Sequence, residues 1–158
     1  MEQPFKPLQQ PLGSNSCLST CVIAVLRFYG VSATLAEARE WCGEDIDGCV
    51  YPLAIAGLEE VGFEVAEVRN EAALLALFEE ADGQDVEPVI VFLQNPRLPQ
   101  TQNMDHAVVM LSFVGPSAGQ ELVEYMDPLD GEIHQMDWGF FLQCWEHNGF
   151  YSFLLRPN

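Results

Sequence analysis

The chain has 158 residues, 49% of them hydrophobic, 11% aromatic and 19% charged; that is enough for one compact domain with a real core and excludes a disordered chain. Six Lys and Arg against 24 Asp and Glu give a formal charge of −18, the wrong sign for phosphate backbones or anionic membrane surfaces, so nucleic acid and membranes are excluded as partners. The opening MEQPFKPLQQPLG has no apolar core behind a basic residue, no run approaches the roughly 18 apolar residues of a membrane span, and five cysteines are an odd number; the expectation is a single domain over 1–158, without an export signal, cytoplasmic, its thiols free.

After the turn-like Gly13-Ser14-Asn15-Ser16, Val22, Val25, Leu26 and Tyr29 recur at helical spacing until Gly30, which predicts a short buried helix. Thr34 can cap a second helix from Leu35 to Cys42, and Tyr51 to Val61 reads as a third, stopped by Gly62. Phe63, Val65 and Val68 suggest a short strand, and Glu71 to Ala81 a further helix. Pro88 opens a different regime. Val89–Leu93, Ala107–Leu111 and Leu122–Met126 are apolar, β-rich runs separated by Pro, Asn and Gly breaks. Trp138 to Trp145 reads as an amphipathic helix and Tyr151 to Leu155 as a closing strand. Helices gathered before strands predict an α+β domain of two packed layers. Residues 37–87 hold 15 of the 24 acids and only Arg39 and Arg69 among the bases, a local charge of −13 that suits a solvated surface or one that favours basic ligands.

Cys17 falls at the first turn of the first helix, where unpaired N–H groups and the positive dipole end stabilise a thiolate. Cys21, one turn further in, reads as a packed thiol, and packing is the ordinary use of any buried Cys. His106 stands at the start of one apolar run and Asp127 at the end of the next, so antiparallel pairing would set them side by side, as in a site where a carboxylate orients an imidazole that activates a thiol. Asp127 equally suits the turn Asp-Pro-Leu-Asp-Gly. Asp105 is the wrong partner, because successive strand side chains face opposite ways. Zinc is set aside on spacing: Cys17/Cys21 and Cys42/Cys49 lack the two-residue spacing of zinc ribbons, and His134 and His147 are not paired.

The run Cys17-Leu-Ser-Thr-Cys21-Val-Ile-Ala-Val-Leu-Arg-Phe-Tyr-Gly30 resembles the nucleophile helix of the bacteriocin-processing (double-glycine leader) peptidases and their stand-alone relatives in the papain-like cysteine peptidase superfamily. Asp105-His106-Ala-Val-Val-Met is similar to that family's His-bearing strand, and Glu124-Tyr-Met-Asp127-Pro-Leu-Asp-Gly131 with Met136 to Trp145 to its Asp-Pro turn and following helix. The resemblance implies a papain-like fold, an N-terminal helical lobe packed on a C-terminal antiparallel sheet. It further implies Cys17 as nucleophile, His106 as general base and acid, Asp127 as orienting carboxylate, and Gln10 with the Cys17 amide as oxyanion donors. Leu18 stands where the family usually has Gly, a bulk that would narrow the cleft. Pro11 stands where the family has Gln, so Gln10 fits with one extra loop residue and Gln9 is the weaker stand-in. The function implied is a cysteine peptidase acting on a peptide or protein, without cofactor or metal, and the −13 of residues 37–87 adds the expectation that it favours basic ones. A papain-like acyltransferase or deamidase, or a binding or inhibitory module using the acidic surface, are the alternatives.

Overall fold

The computed structural model describes residues 4–79, 86–95, 106–114 and 121–158. Among these, five helices and six strands follow one another as α1 (Cys17–Phe28), α2 (Leu35–Cys42), α3 (Tyr51–Val61), β1 (Glu64–Glu67), α4 (Glu71–Glu79), β2 (Val89–Leu93), β3 (His106–Val114), β4 (Leu122–Asp127), β5 (Glu132–Asp137), α5 (Trp138–Asn148) and β6 (Ser152–Arg156). The predicted continuation of α4 to Ala81 and the orientation expected of Asp105 lie outside the described residues. One antiparallel sheet runs in the order β1-β6-β2-β3-β4-β5.

The sheet is covered on both faces, so the domain has three layers rather than the two predicted. Side chains alternate along β2 and β3. Ile90, Phe92, Ala107 and Val109 join one core cluster with α1, α2 and α3, while Val89, Val91, Leu93, Val108 and Met110 join another with α4 and α5. Every residue of β2 is buried. An unbroken apolar run of that kind is the signature of a strand covered on both sides, which the alternating pattern of a half-solvated strand would not give.

Local chemistry explains the element ends. Thr34 and Glu37 form a complete capping box at α2, and Gly43, Gly62 and Gly149 close α2, α3 and α5 in the left-handed region. The strand β5 was not predicted: its pattern Glu-Ile-His-Gln-Met-Asp sits at the sheet edge with Glu132 and Ile133 exposed. The acidic segment also differs from the single surface its sequence suggests. Glu59 and Glu60 lie on α3, Glu64 and Glu67 on β1 at one sheet edge, and Glu71 and Glu79 on α4 across the sheet, so the charge is divided between both faces.

Candidate active site

The helix α1 begins at Cys17 itself, one residue after Ser16, and the first bond of the helix runs from Thr20 N–H to Ser16 C=O, 3.0 Å. The Cys17 amide therefore belongs to the first turn, whose N–H groups have no acceptor inside the helix. One turn on, the Cys21 thiol donates to the Ala107 carbonyl at 3.5 Å, which fixes α1 against β3 beside His106. Burial, then the neighbouring Cys17 and Asp127 charges, push the Cys21 thiol well up, in keeping with a packed side chain.

His106 opens β3 and Asp127 closes β4. The register that pairs Val109 with Met126 makes them diagonal neighbours on one side of the ladder, and the His106 Nε2 to Asp127 Oδ1 distance is 2.6 Å. Asp127 Oδ1 also accepts from the Leu129 amide at 2.9 Å, so the turn that follows holds the carboxylate in place. With Nε2 engaged, Nδ1 is the ring nitrogen left for a thiol, and Cys17 lines the same cavity as the imidazole. Burial disfavours the imidazolium, but the hydrogen bonds to Asp127 and Cys17 and their charges outweigh it, raising His106 to about 9. Asp127 moves the other way: burial opposes its ionisation, and the hydrogen bond and charge of His106 overcome that and lower it.

These opposed shifts fix a pH dependence of stability. A histidine raised from about 6.5 in the unfolded chain contributes stability that is complete below that value and is lost as pH rises through about 9. Asp127 contributes above its unfolded value and loses that contribution as pH falls through its lowered folded one. Urea unfolding should therefore show the native chain losing on the order of 2 kcal/mol more between pH 6 and 9.5 than His106→Ala, whose remaining loss comes from the raised Cys21 and Cys42 thiols; parallel pH profiles for the two would contradict the ion pair.

The N-terminal segment carries Gln10 to the same place. Its amide donates to Pro128 C=O at 2.7 Å, and Leu8 N–H lies 3.2 Å from Met126 Sδ, so residues 8–10 run along the end of β4. Gly131 is required there: its φ is +70°, and a Cβ would stand 2.8 Å from Gln9 Cβ. Gln10 is 6% exposed, its Nε2 donates to Ser14 C=O at 2.7 Å, and its Oε1 has no partner among the described residues. The second Nε2 hydrogen is left to donate. Gln9 instead turns outward, donating to Leu129 C=O at 3.4 Å.

Cys17, His106, Asp127 and Gln10 line one cavity of about 780 Å³. Phe92, Leu93, Val108, Met136 and Phe140 give it apolar walls, and Asp47 stands on its rim. Leu18 is 1% exposed and packs in the α1 core, and it also lines this cavity beside Cys17. Two features escaped the sequence. Cys49, which the sequence raised only in a spacing set aside for zinc, lines this cavity; a hydrogen bond from Cys42 lowers it, while that same bond and burial raise Cys42. On the β4–β5 hairpin, Asp130, Glu132 and His134 bring their ligand atoms within 4.8 Å of one another, where His134 Nε2 pairs with Asp130 Oδ2 at 2.6 Å.

No family model and no curated protein matches the chain by sequence. Solved structures do match by fold. The peptidase domain of Streptococcus ComA, a bi-functional ABC transporter involved in a quorum-sensing pathway, superposes with a TM-score of 0.71 at 18% identity over 98% of this chain and 100% of that one. The chain has the fold of these peptidase domains. A double-glycine motif protease from an AMS/PCAT transporter, solved in complex with a leader peptide, matches with a TM-score of 0.67 at 19% identity over 97% of this chain and 92% of that one. A C39-like peptidase candidate from Bacillus anthracis matches with a TM-score of 0.69 at 14% identity over 96% and 94% of the two chains. The expected α+β, papain-like architecture is thus present, and among the described residues no helix is long and apolar enough to cross a membrane.

Proposed function

We propose that the chain is a cysteine peptidase in which Cys17 is the nucleophile, His106 the proton carrier and Asp127 its orienting carboxylate. The observation that carries this reading is the His106–Asp127 pair at 2.6 Å, which shares one cavity of a peptidase fold with Cys17 at the first turn of α1. The Cys17 thiolate adds to a peptide carbonyl carbon. The oxygen of the tetrahedral intermediate takes hydrogen bonds from the Cys17 amide and the second Gln10 Nε2 hydrogen. As the C–N bond breaks, the imidazolium of His106 protonates the leaving amine. A water then loses a proton to His106, attacks the thioester carbon, and the Cys17 sulfur leaves.

A peptide that crosses the cleft passes Asp47 on the rim and the apolar walls. The expected preference is for peptides carrying Lys or Arg, by severalfold in kcat/KM at low ionic strength. It should fade as salt rises, because exposed charges are screened beyond about 8 Å at physiological salt. Equal turnover of acidic and basic peptides at low salt would remove the charge from substrate choice.

The reading is tested by incubating the chain with a proteome-derived peptide pool and sequencing the products by mass spectrometry. New termini made by the native chain and not by Cys17→Ala support hydrolysis. Conversion of Gln to Glu without new termini would assign the deamidase reading, and identical pools with and without Cys17 would overturn the enzymatic one.

A further inference from the structure

The first turn of α1 lacks the usual means of holding its end. Ser16 occupies the N-cap position, yet its hydroxyl makes no capping bond to the helix, and no acidic residue stands in the first turn. The hydroxyl goes elsewhere. Ser16 Oγ donates to Glu44 Oε2 at 2.8 Å, and Ser19 Oγ donates to the other oxygen of the same carboxylate, Oε1, at 2.7 Å. Both serines are fully buried, and they bracket Cys17 in sequence. Arg39 completes the arrangement: its Nε and Nη2 donate to Ser16 Oγ at 3.0 and 2.8 Å, and its Nε lies 3.0 Å from Glu44 Oε2. A carboxylate just past the end of α2 thus brings a negative charge to the first turn of α1 and accepts from both of its serine hydroxyls.

We propose that Glu44 and Arg39 are positioning residues for Cys17, the carboxylate clamping the serines on either side of the nucleophile and the guanidinium keeping that carboxylate from opposing the thiolate. The inference rests on the reading of Cys17 as nucleophile given above. An unneutralised carboxylate on the first turn would disfavour a second negative charge there, whereas the Arg39–Glu44 pair is close to neutral while still ordering the turn. Among the described residues, the other charged or titratable groups near Cys17 are His106 of β3 and, behind it, Asp127 of β4, with Cys21 of α1; Asp47 and Cys49 line the same cavity. The variants below leave all of these unchanged.

The test follows carbamidomethylation of Cys17 by iodoacetamide, read by mass mapping at pH 6 and pH 9, in Arg39→Gln, Glu44→Gln, the double variant and Arg39→Lys, with melting curves to report folding. Arg39→Gln should slow labelling at pH 6 by about fivefold and change it little at pH 9, as expected of a nearby uncompensated charge. The double variant should regain the native rate at pH 6, and Arg39→Lys should keep it. Should Arg39→Gln fail to fold, Glu44→Gln carries the test alone, since leaving Arg39 unbalanced should speed labelling at pH 6 severalfold. Native rates in both single variants, or a double variant as slow as Arg39→Gln, would overturn the proposal, because a merely structural pair would change the melting curve without a pH-selective change in labelling. His106→Ala separates the two levels: if it leaves labelling at pH 6 unchanged, the nucleophile reading itself fails, and if it slows labelling while the Arg39 and Glu44 variants do not, only this inference fails.

Discussion

Replacing Cys17 by Ala should lower peptide turnover by about a thousandfold or more, with the fold intact, because every covalent step runs through that sulfur. His106→Ala should cost nearly as much. The two act as one unit, so the double variant should be scarcely worse than either single one. Asp127→Ala removes the bond that holds Nε2, at 2.6 Å, and with it the ring orientation and the Asp127 share of the stabilisation of the imidazolium. It should cost about a hundredfold or more and move the loss of activity toward lower pH, since His106 would no longer be held near 9. Turnover of any peptide cleaved from the pool, measured from pH 5 to 10, checks all three. Additive losses in the Cys17/His106 double variant would indicate two independent functions for the pair.

The largest expected effect on stability lies away from the site. Gly57, inside α3, packs against α2 so closely that a Cβ would stand 1.8 Å from the Trp41 carbonyl oxygen. The obstacle is backbone, which no side-chain rotation can clear, so Gly57→Ala must drive the two helices apart. The cost should be about 3 kcal/mol, the upper end of overpacking effects, even though Ala is the better helix former. For a chain of this size that is a fall of roughly 10 °C in Tm. The exposed Glu60→Ala on the same helix serves as control and should melt within about 2 °C of the native chain. A Gly57→Ala protein as stable as native would mean that α2 and α3 do not approach as described.

The parts of the fold legible in the sequence were those with a local signal. Thr34 with Glu37 marked the start of α2, and Leu35–Cys42, Tyr51–Val61 and Val89–Leu93 match the observed elements residue for residue. The strand β5 had no such signal, because an edge strand with exposed Glu132 and Ile133 needs no buried face to write a pattern. The third layer was missed: two layers were expected, and which helices cover the second face of the sheet depends on chain crossings that no local pattern records. The same division holds at the site. His106 and Asp127 could be brought together on paper because strand ends and antiparallel pairing suffice. Glu44 could not be connected to Ser16 and Ser19, nor Cys49 to the cavity, because those contacts depend on how the loop between α2 and α3 folds back on α1; that loop is closed by the Asp45–Gly48 bridge and by Asn15 Nδ2 donating to Ile46 C=O at 2.6 Å.

The central claim, that Cys17 is a thiol activated by His106, is tested most directly by a limiting amount of iodoacetamide near pH 6, well below the ordinary thiol range near 8.5. Five free cysteines compete in the described chain, and Cys49 is the strongest rival, since it lines the same cavity and its thiolate is favoured by Cys42. The account predicts that mass mapping finds Cys17 labelled first, ahead of Cys49, and that His106→Ala slows labelling of Cys17 by tenfold or more, the order expected of losing a positioned base, while leaving Cys49 unchanged. Uniform labelling of the cysteines, or Cys49 labelled before an accessible Cys17 whether or not His106 is present, would contradict it.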